Sequence, residues 1–234
     1  MQVPTVLSFK AQHMKRILIT ILIVGAALLI YYGRDASMFR QSKIRQNAKE
    51  PLATIFQDGD IIFQTSKSSQ SKAVQLATHS KYSHMGIIYN MGGEYYVYEA
   101  VQPVKLTKLN NWIKRGENSH YVAKRLKNSK EIFTKENVKK MKSVGERFKG
   151  KSYDIYFEWS DDKIYCSELV WKIYKEALNI EIGELQELRE SDLTNIVVKN
   201  KMKERYGEKI PLTEKVISPV TIFKSERVVT VVEE

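Results

Sequence analysis

The sequence predicts an α+β domain, in which an antiparallel sheet packs against helices, preceded by an N-terminal transmembrane helix. Three observations predict it: short strand-like apolar runs joined by turn residues, two later segments with apolar residues at helical spacing, and an uncharged apolar run near the N-terminus. The 234 residues suffice for one well-buried domain and a short appendage. We predict an N-terminal segment over residues 1–33, a polar linker over 34–55 and a folded domain over 56–234.

The apolar run covers residues 17–32 and directly follows Lys15 and Arg16. As a helix it spans about 24 Å, slightly less than the roughly 30 Å hydrocarbon core of a bilayer, and snorkelling flanks can make up the difference. The alternative is a cleaved signal peptide, but the run ends in tyrosines rather than in small residues. We therefore expect an uncleaved single-pass anchor that leaves the domain outside the cytoplasm, because basic flanks stay inside.

The charge and the cysteine content narrow the possible partners. The formal net charge is +11, which favours an anionic partner such as acidic lipid or cell-wall polymer. Basic residues alternate with acids, as in residues 203–205, and no nucleic-acid-binding motif is present, so we expect no nucleic-acid partner. The single cysteine excludes an intramolecular disulfide and a cysteine-based zinc site. We expect no metal and no organic cofactor.

The strands come first in the folded domain. They are predicted over residues 61–63, 83–89, 94–101 and 120–126, with further strand-like runs at 216–223 and 227–232. Asn90-Met91-Gly92-Gly93 joins the second and third runs, and this composition favours the tight turn of a β-hairpin.

Helical spacing begins later along the chain. A short helix is predicted over residues 72–78, a longer one between Thr134 and Gly150, and a third starting near Cys166, whereas residues 183–209 are polar and helix-prone. The third helix has an apolar face, and Cys166 occupies its first turn. Unpaired N–H groups and the helix dipole favour a thiolate there, the reactive form of cysteine. The plainer interpretation is a buried, inert cysteine.

A cysteine nucleophile needs a base, commonly a histidine held by a third polar group. His84 begins the first strand of the hairpin and Glu99 lies on the second. A turn centred between Met91 and Gly92 places Glu99 directly opposite His84, and a turn centred on Gly92-Gly93 shifts the pairing by two residues. Both registers leave the two side chains on one face. The plainer interpretation is a cross-strand ion pair at the surface.

Five motifs occur in the order found in one family: Asp60-Ile61-Ile62-Phe63, Tyr82-Ser83-His84-Met85-Gly86-Ile87, Tyr98-Glu99-Ala100, Tyr153-Asp154 and Tyr165-Cys166-Ser167-Glu168-Leu169-Val170. In the order of these motifs the chain resembles the permuted papain-like amidases of the YiiX/YaeF type, which have a circularly permuted NlpC-type fold. The resemblance covers about residues 56–224. It implies that Cys166 is the nucleophile, His84 the base and Glu99 the orienting residue.

The resemblance implies a cysteine hydrolase that cleaves an amide bond through a thioester acyl-enzyme, with peptidoglycan peptides as the candidate substrate. The backbone N–H of Cys166 is expected to bind the oxyanion, and Tyr153 and Tyr165 are candidate substrate-binding residues. Two alternatives stay open. One is an acyltransferase or lipid hydrolase like lecithin–retinol acyltransferase, which an apolar tunnel beside Cys166 would favour. The other is a non-catalytic binding module.

Overall fold

A computed structural model of the protein describes residues 55–234, which form one compact unit from Ile55 to Glu234. The strands in this part are β1 Ile61–Gln64, β2 His84–Met91, β3 Glu94–Glu99, β4 Lys105–Lys108, β5 Val122–Leu126, β6 Gln186–Glu187, β7 Lys215–Val216 and β8 Val228–Glu233. The α-helices are α1 Ser69–Thr78, α2 Leu109–Arg115, α3 Ser129–Ile132, α4 Lys135–Glu146, α5 Cys166–Leu178, α6 Ile196–Tyr206 and α7 Pro219–Phe223, with 3-10 turns at Glu117–Ser119 and Leu188–Glu190.

Six strands form one antiparallel sheet in the order β4-β3-β2-β1-β5-β8, while β6 and β7 pair separately. Strand β1 is buried on both faces, as its unbroken apolar sequence requires. Helix α5 packs against β2, and α4 packs against α5. Helix α2 packs against β3 and β4, and its Trp112 ring stacks over His84. The hairpin end that bears His84 therefore lies between helices.

The structure confirms the predicted α+β class, in which an antiparallel sheet packs against helices. Within residues 55–234 no helix is long and apolar enough to cross a membrane. The predicted anchor at residues 17–32 and the linker up to residue 54 lie outside the residues that the structure describes.

Several element boundaries differ from the prediction. Residues 219–223 form helix α7 rather than a strand, because Pro219 occupies its first turn and the Ser218 hydroxyl accepts a hydrogen bond from the Thr221 N–H at 3.2 Å. The polar segment 183–209 contains α6, whose Val198 and Met202 pack on Leu188 in a small separate apolar cluster. Helix α2 was not predicted.

Candidate active site

Cys166 is the first residue of α5, and Tyr165 before it has an extended backbone. The helix forms there because Leu169, Val170 and Ile173 repeat at helical spacing and are fully buried against the sheet. The first N–H groups of a helix have no acceptor within the helix, so those at the start of α5 are available to a group bound beside the thiol. Cys166 is only 3% exposed. It is packed in the apolar core on one side and lines a cavity on the other.

His84 is the first residue of β2 and lies beside Cys166. The neighbouring thiol helps to raise the pKa of the imidazole. The Nε2 atom lies 2.5 Å from Oε2 of Glu99, so Nδ1 is the nitrogen left to face the sulfur. The structure thus brings Cys166, His84 and Glu99 together in one buried cluster. This is the geometry that nucleophile activation by a base requires, with a third group that fixes the tautomer of the base.

The observed hairpin register decides between the two predicted alternatives. Pairs such as Ile87 with Tyr98 centre the turn on Gly92-Gly93, so Glu99 is diagonal to His84 and not directly opposite it. Both glycines have positive φ, +64° and +90°, which explains why the turn forms there. The residue that faces Glu99 in this register is Gly86.

Gly86 is needed for the close approach of the two strands at this point. A Cβ at Gly86 would lie 2.7 Å from the carbonyl oxygen of Tyr98, 2.5 Å from a methyl group of Val97 and 3.3 Å from the Cβ of Glu99. Real Cβ contacts do not occur below 3.0 Å. The missing side chain therefore leaves the space through which Glu99 reaches His84.

The Glu99 carboxylate is completely buried and is fully hydrogen-bonded. Its Oε2 accepts hydrogen bonds from Trp112 Nε1 at 2.8 Å and from Arg115 Nη2 at 2.5 Å, in addition to the contact with His84. The Thr107 hydroxyl donates to Oε1 at 2.6 Å. These partners come from β4 and α2, and they hold the carboxylate in one position. A buried carboxylate is stable only with such partners.

The pKa of Glu99 is lowered and the pKa of His84 is raised. Burial raises the pKa of Glu99, but hydrogen bonding to His84 and the charges of His84 and Arg115 outweigh it and lower the pKa to about 2. Burial lowers the pKa of His84, and here the hydrogen bonds and charges of Cys166 and Glu99 prevail and raise it to about 9. The arrangement favours an imidazolium beside the Glu99 carboxylate at neutral pH.

The two candidate tyrosines occupy different positions. Tyr153 is half-buried, and burial first, then the neighbouring sulfur, raises its pKa well above the usual value. Tyr165 is 2% exposed, and its hydroxyl accepts a hydrogen bond from the Ile217 N–H at 3.1 Å. Both residues line the cavity beside Cys166, but the Tyr165 hydroxyl is engaged by the backbone of Ile217.

A cavity of about 80 Å³ opens beside Cys166 between α1, α6 and the loop before α7. Its walls are mainly apolar, from side chains that include Ala73, Val74, Val198, Met202 and Pro219. Gln70 and Arg205 add polar groups to the same wall. The Gln70 amide donates to the Tyr153 hydroxyl at 3.3 Å and accepts from Arg205 Nη2 at 2.7 Å.

A second buried carboxyl group lies in the same helical turn as the nucleophile. Glu168 is fully buried in the first turn of α5, and burial raises its pKa to about 8 despite the Lys172 ammonium at 2.8 Å. Its Oε2 accepts a hydrogen bond from the Tyr165 N–H at 3.4 Å. Lys172 also donates to Asp161 at 2.7 Å, which ties the loop before α5 to the helix. We infer that Glu168 and Lys172 hold the start of α5 in position.

Sequence reasoning missed the residues that hold Glu99 and those that shape the cavity. Trp112 and Arg115 are three residues apart on α2, so one face of that helix supplies both donors. Leu109 and Trp112 have the helical spacing that could have revealed α2. Gln70 and Arg205 are 135 residues apart, and nothing local in the sequence connects them.

The chain is similar to known proteins of one family. The model of a family described as "Permuted papain-like amidase enzyme, YaeF/YiiX, C92 family" matches residues 55–232. The uncharacterized protein YiiX of Escherichia coli strain K12 is 49% identical over 178 residues, which cover 76% of this chain and 87% of that relative. A crystal structure described as metalloprotein yiiX from Escherichia coli O157:H7 has a TM-score of 0.74 at 49% identity, covering 77% of this chain and 98% of the other. The chain belongs to the C92 family of permuted papain-like amidases.

Proposed function

We propose that the protein is a cysteine hydrolase that cleaves an amide bond through a thioester acyl-enzyme. The observation that supports it most is the buried cluster in which His84 lies beside Cys166 and 2.5 Å from the Glu99 carboxylate. A structural cysteine needs neither neighbour. The family description, a permuted papain-like amidase, points to the same class of reaction.

The reaction follows from the positions of these groups. The Cys166 sulfur attacks the amide carbonyl, and the oxyanion accepts hydrogen bonds from the Cys166 backbone N–H and from the Tyr153 hydroxyl. The imidazolium of His84 protonates the nitrogen as the C–N bond breaks, which releases the amine and leaves a thioester. His84, now neutral, removes a proton from water. The hydroxide adds to the thioester, and the acid leaves as the thiol is restored.

The pKa of His84, about 9, suits the first half of this sequence. An imidazole that stays protonated at neutral pH is ready to act as the general acid for the departing amine. The buried Glu99 carboxylate stabilises that charge, and Thr107, Trp112 and Arg115 keep the carboxylate in place. These three residues act through Glu99 and are positioning residues.

For the substrate we propose an amide within a peptide, with cell-wall peptides as the first class to test. The cavity of about 80 Å³ is small, which suits a short side chain better than a long acyl chain. Its mainly apolar walls are what favour the alternative, an acyltransferase or lipid hydrolase. If residues 17–32 anchor the chain as the sequence predicts, the domain meets such substrates outside the cytoplasm.

The E. coli structure is described as a metalloprotein, so the donor set of this chain bears on a resident metal. In the part of the chain that the structure describes, no three His, Cys, Asp or Glu side chains cluster to hold a metal ion. Cys166 and His84 offer two donors, because Nε2 of His84 is taken by Glu99. Two donors are fewer than the three or four protein ligands of zinc sites. These residues do not fit a resident metal, and the proposed steps use none.

The test combines labelling with substrate screening on the full chain. Iodoacetamide should modify Cys166 in the native protein, and the sole thiol of the chain makes the labelled site unambiguous. His84→Ala should slow this labelling at neutral pH, because the imidazolium that stabilises the thiolate is lost. His79→Ala is the matched control, since that histidine is exposed and pairs with Asp192 away from the cluster.

A screen of muropeptides, other peptide amides and lipid esters should then show amide hydrolysis that Cys166→Ala abolishes and His79→Ala leaves intact. Cleavage of lipid esters alone would favour the alternative. A Cys166 that reacts only in denaturant would mark it as a structural residue and defeat the hydrolase proposal.

A further inference from the structure

The cavity beside Cys166 is lined by a guanidinium that no carboxylate of residues 55–234 pairs with. Arg205 lies on the last turn of α6, half-buried, and lines the same cavity as the nucleophile. Among residues 55–234 no Asp or Glu side chain forms an ion pair with it. The carboxylate of its neighbour Glu204 pairs instead with Lys201 at 2.6 Å. A cation held against apolar walls without a counter-ion is an anion-binding group.

The guanidinium is also held in a fixed orientation. One face lies over the Phe157 ring, with Cζ 5.1 Å from the ring centroid. One N–H of Nη2 donates to the Gln70 amide oxygen at 2.7 Å. Arginine has five N–H donors, and within the described residues this is the single hydrogen bond recorded for Arg205. The remaining donors are available to a planar anion.

Arg205 is connected through hydrogen bonds to Tyr153, which lines the cavity beside the nucleophile. The Gln70 amide oxygen accepts from Arg205, and the Gln70 amide nitrogen donates to the Tyr153 hydroxyl. Because Arg205, Tyr153 and Cys166 line one cavity, an anion bound at Arg205 shares that cavity with the scissile carbonyl. Because Gln70 is hydrogen-bonded to both Arg205 and Tyr153, an anion that holds Arg205 in place also fixes the orientation of Gln70 and of the Tyr153 hydroxyl.

We infer that Arg205 is a specificity-determining residue that selects substrates with a carboxylate close to the scissile amide, as in a peptide with a terminal or acidic side-chain carboxylate. The inference rests on the proposed cysteine-hydrolase function and names the substrate class for the same site. Carboxylate and guanidinium form paired, charge-assisted hydrogen bonds, which distinguish a carboxylate from its neutral amide. Selection of a carboxylate also distinguishes this cleft from one that binds neutral lipid esters.

The test uses two electrophiles that differ only in charge, N-chloroacetyl-alanine and N-chloroacetyl-alaninamide. The second-order rate of Cys166 alkylation is measured for each on the full chain, and their ratio cancels the intrinsic reactivity of the thiolate. In the unsubstituted protein the anionic reagent should react on the order of tenfold to a hundredfold faster. Arg205→Gln should reduce the ratio to about one or below, and Arg205→Lys should retain part of it.

Lys203→Gln is the matched control, because it removes one positive charge from the same helix at an exposed position. It should leave the ratio unchanged, since long-range attraction of an anion is weak and screened by salt. Equal ratios in the unsubstituted protein, Arg205→Gln and Lys203→Gln would overturn the inference while leaving the hydrolase proposal intact. A native Cys166 that reacts with neither reagent would overturn both. Thermal unfolding of Arg205→Gln checks that the variant is folded.

Discussion

Replacing Glu99 by glutamine tests whether the buried carboxylate sets the protonation state of His84. Glutamine has nearly the same shape and keeps an oxygen that can accept from Trp112 and Arg115. It removes the charge that faces the imidazole at 2.5 Å. The substitution also removes the free-energy cost of burying that charge, so the change in the free energy of unfolding at a single pH does not measure the effect on His84 alone. The dependence of stability on pH is the informative quantity.

The sign follows from the direction of the shift. The folded-state pKa of His84, about 9, is above its ordinary value of 6.5. The protonated imidazole is therefore favoured by folding, and its contribution is fully present below pH 6.5 and is lost as the pH rises through 9. A shift of this size corresponds to about 3 kcal/mol. Cys166 and Glu99 both raise the pKa, so Glu99→Gln should remove a share of roughly 1 to 2 kcal/mol.

The measurement is urea unfolding of the full chain at several pH values between 6.5 and 9, with NMR titration of the His84 ring as a direct check. In Glu99→Gln the fall in the free energy of unfolding over this range should be smaller, and the His84 pKa should move toward its ordinary value. Glu94→Gln is the control, because that carboxylate lies at the exposed start of the same strand. Identical pH dependence in all three proteins would refute the reasoning.

Three further predictions concern the frame around the site and the anchor. Gly86→Ala should destabilise the fold by about 1–3 kcal/mol, because the new Cβ meets the Tyr98 carbonyl, and should slow Cys166 labelling as Glu99 is displaced; urea unfolding and labelling rates check both effects. Ser218→Ala should cost about 1 kcal/mol in urea unfolding through loss of the α7 cap. The full chain should sediment with membranes, and a soluble mature form that begins near residue 33 would show a cleaved signal instead.

Much of the frame could be predicted from local sequence. The Gly92-Gly93 pair predicted the hairpin, because positive φ angles at low cost are a local property of glycine. Apolar spacing after Cys166 predicted the start of α5, because one buried face imposes a period of 3.6 residues. Alternation along the hairpin placed His84 and Glu99 on one face in either register. These features depend on residues that are close together along the chain.

Only the tertiary structure decided the register, the partners of Glu99 and the wall of the cavity. The two-residue shift of the hairpin depends on the turn geometry and on how closely the strands pack at Gly86. Arg115 reaches Glu99 because α2 folds back over β3, although its sequence gave no strong helical signal. Arg205 meets Gln70 across 135 residues because α6 packs on α1. Such contacts are determined by burial of apolar surface between distant segments, which local periodicity does not encode.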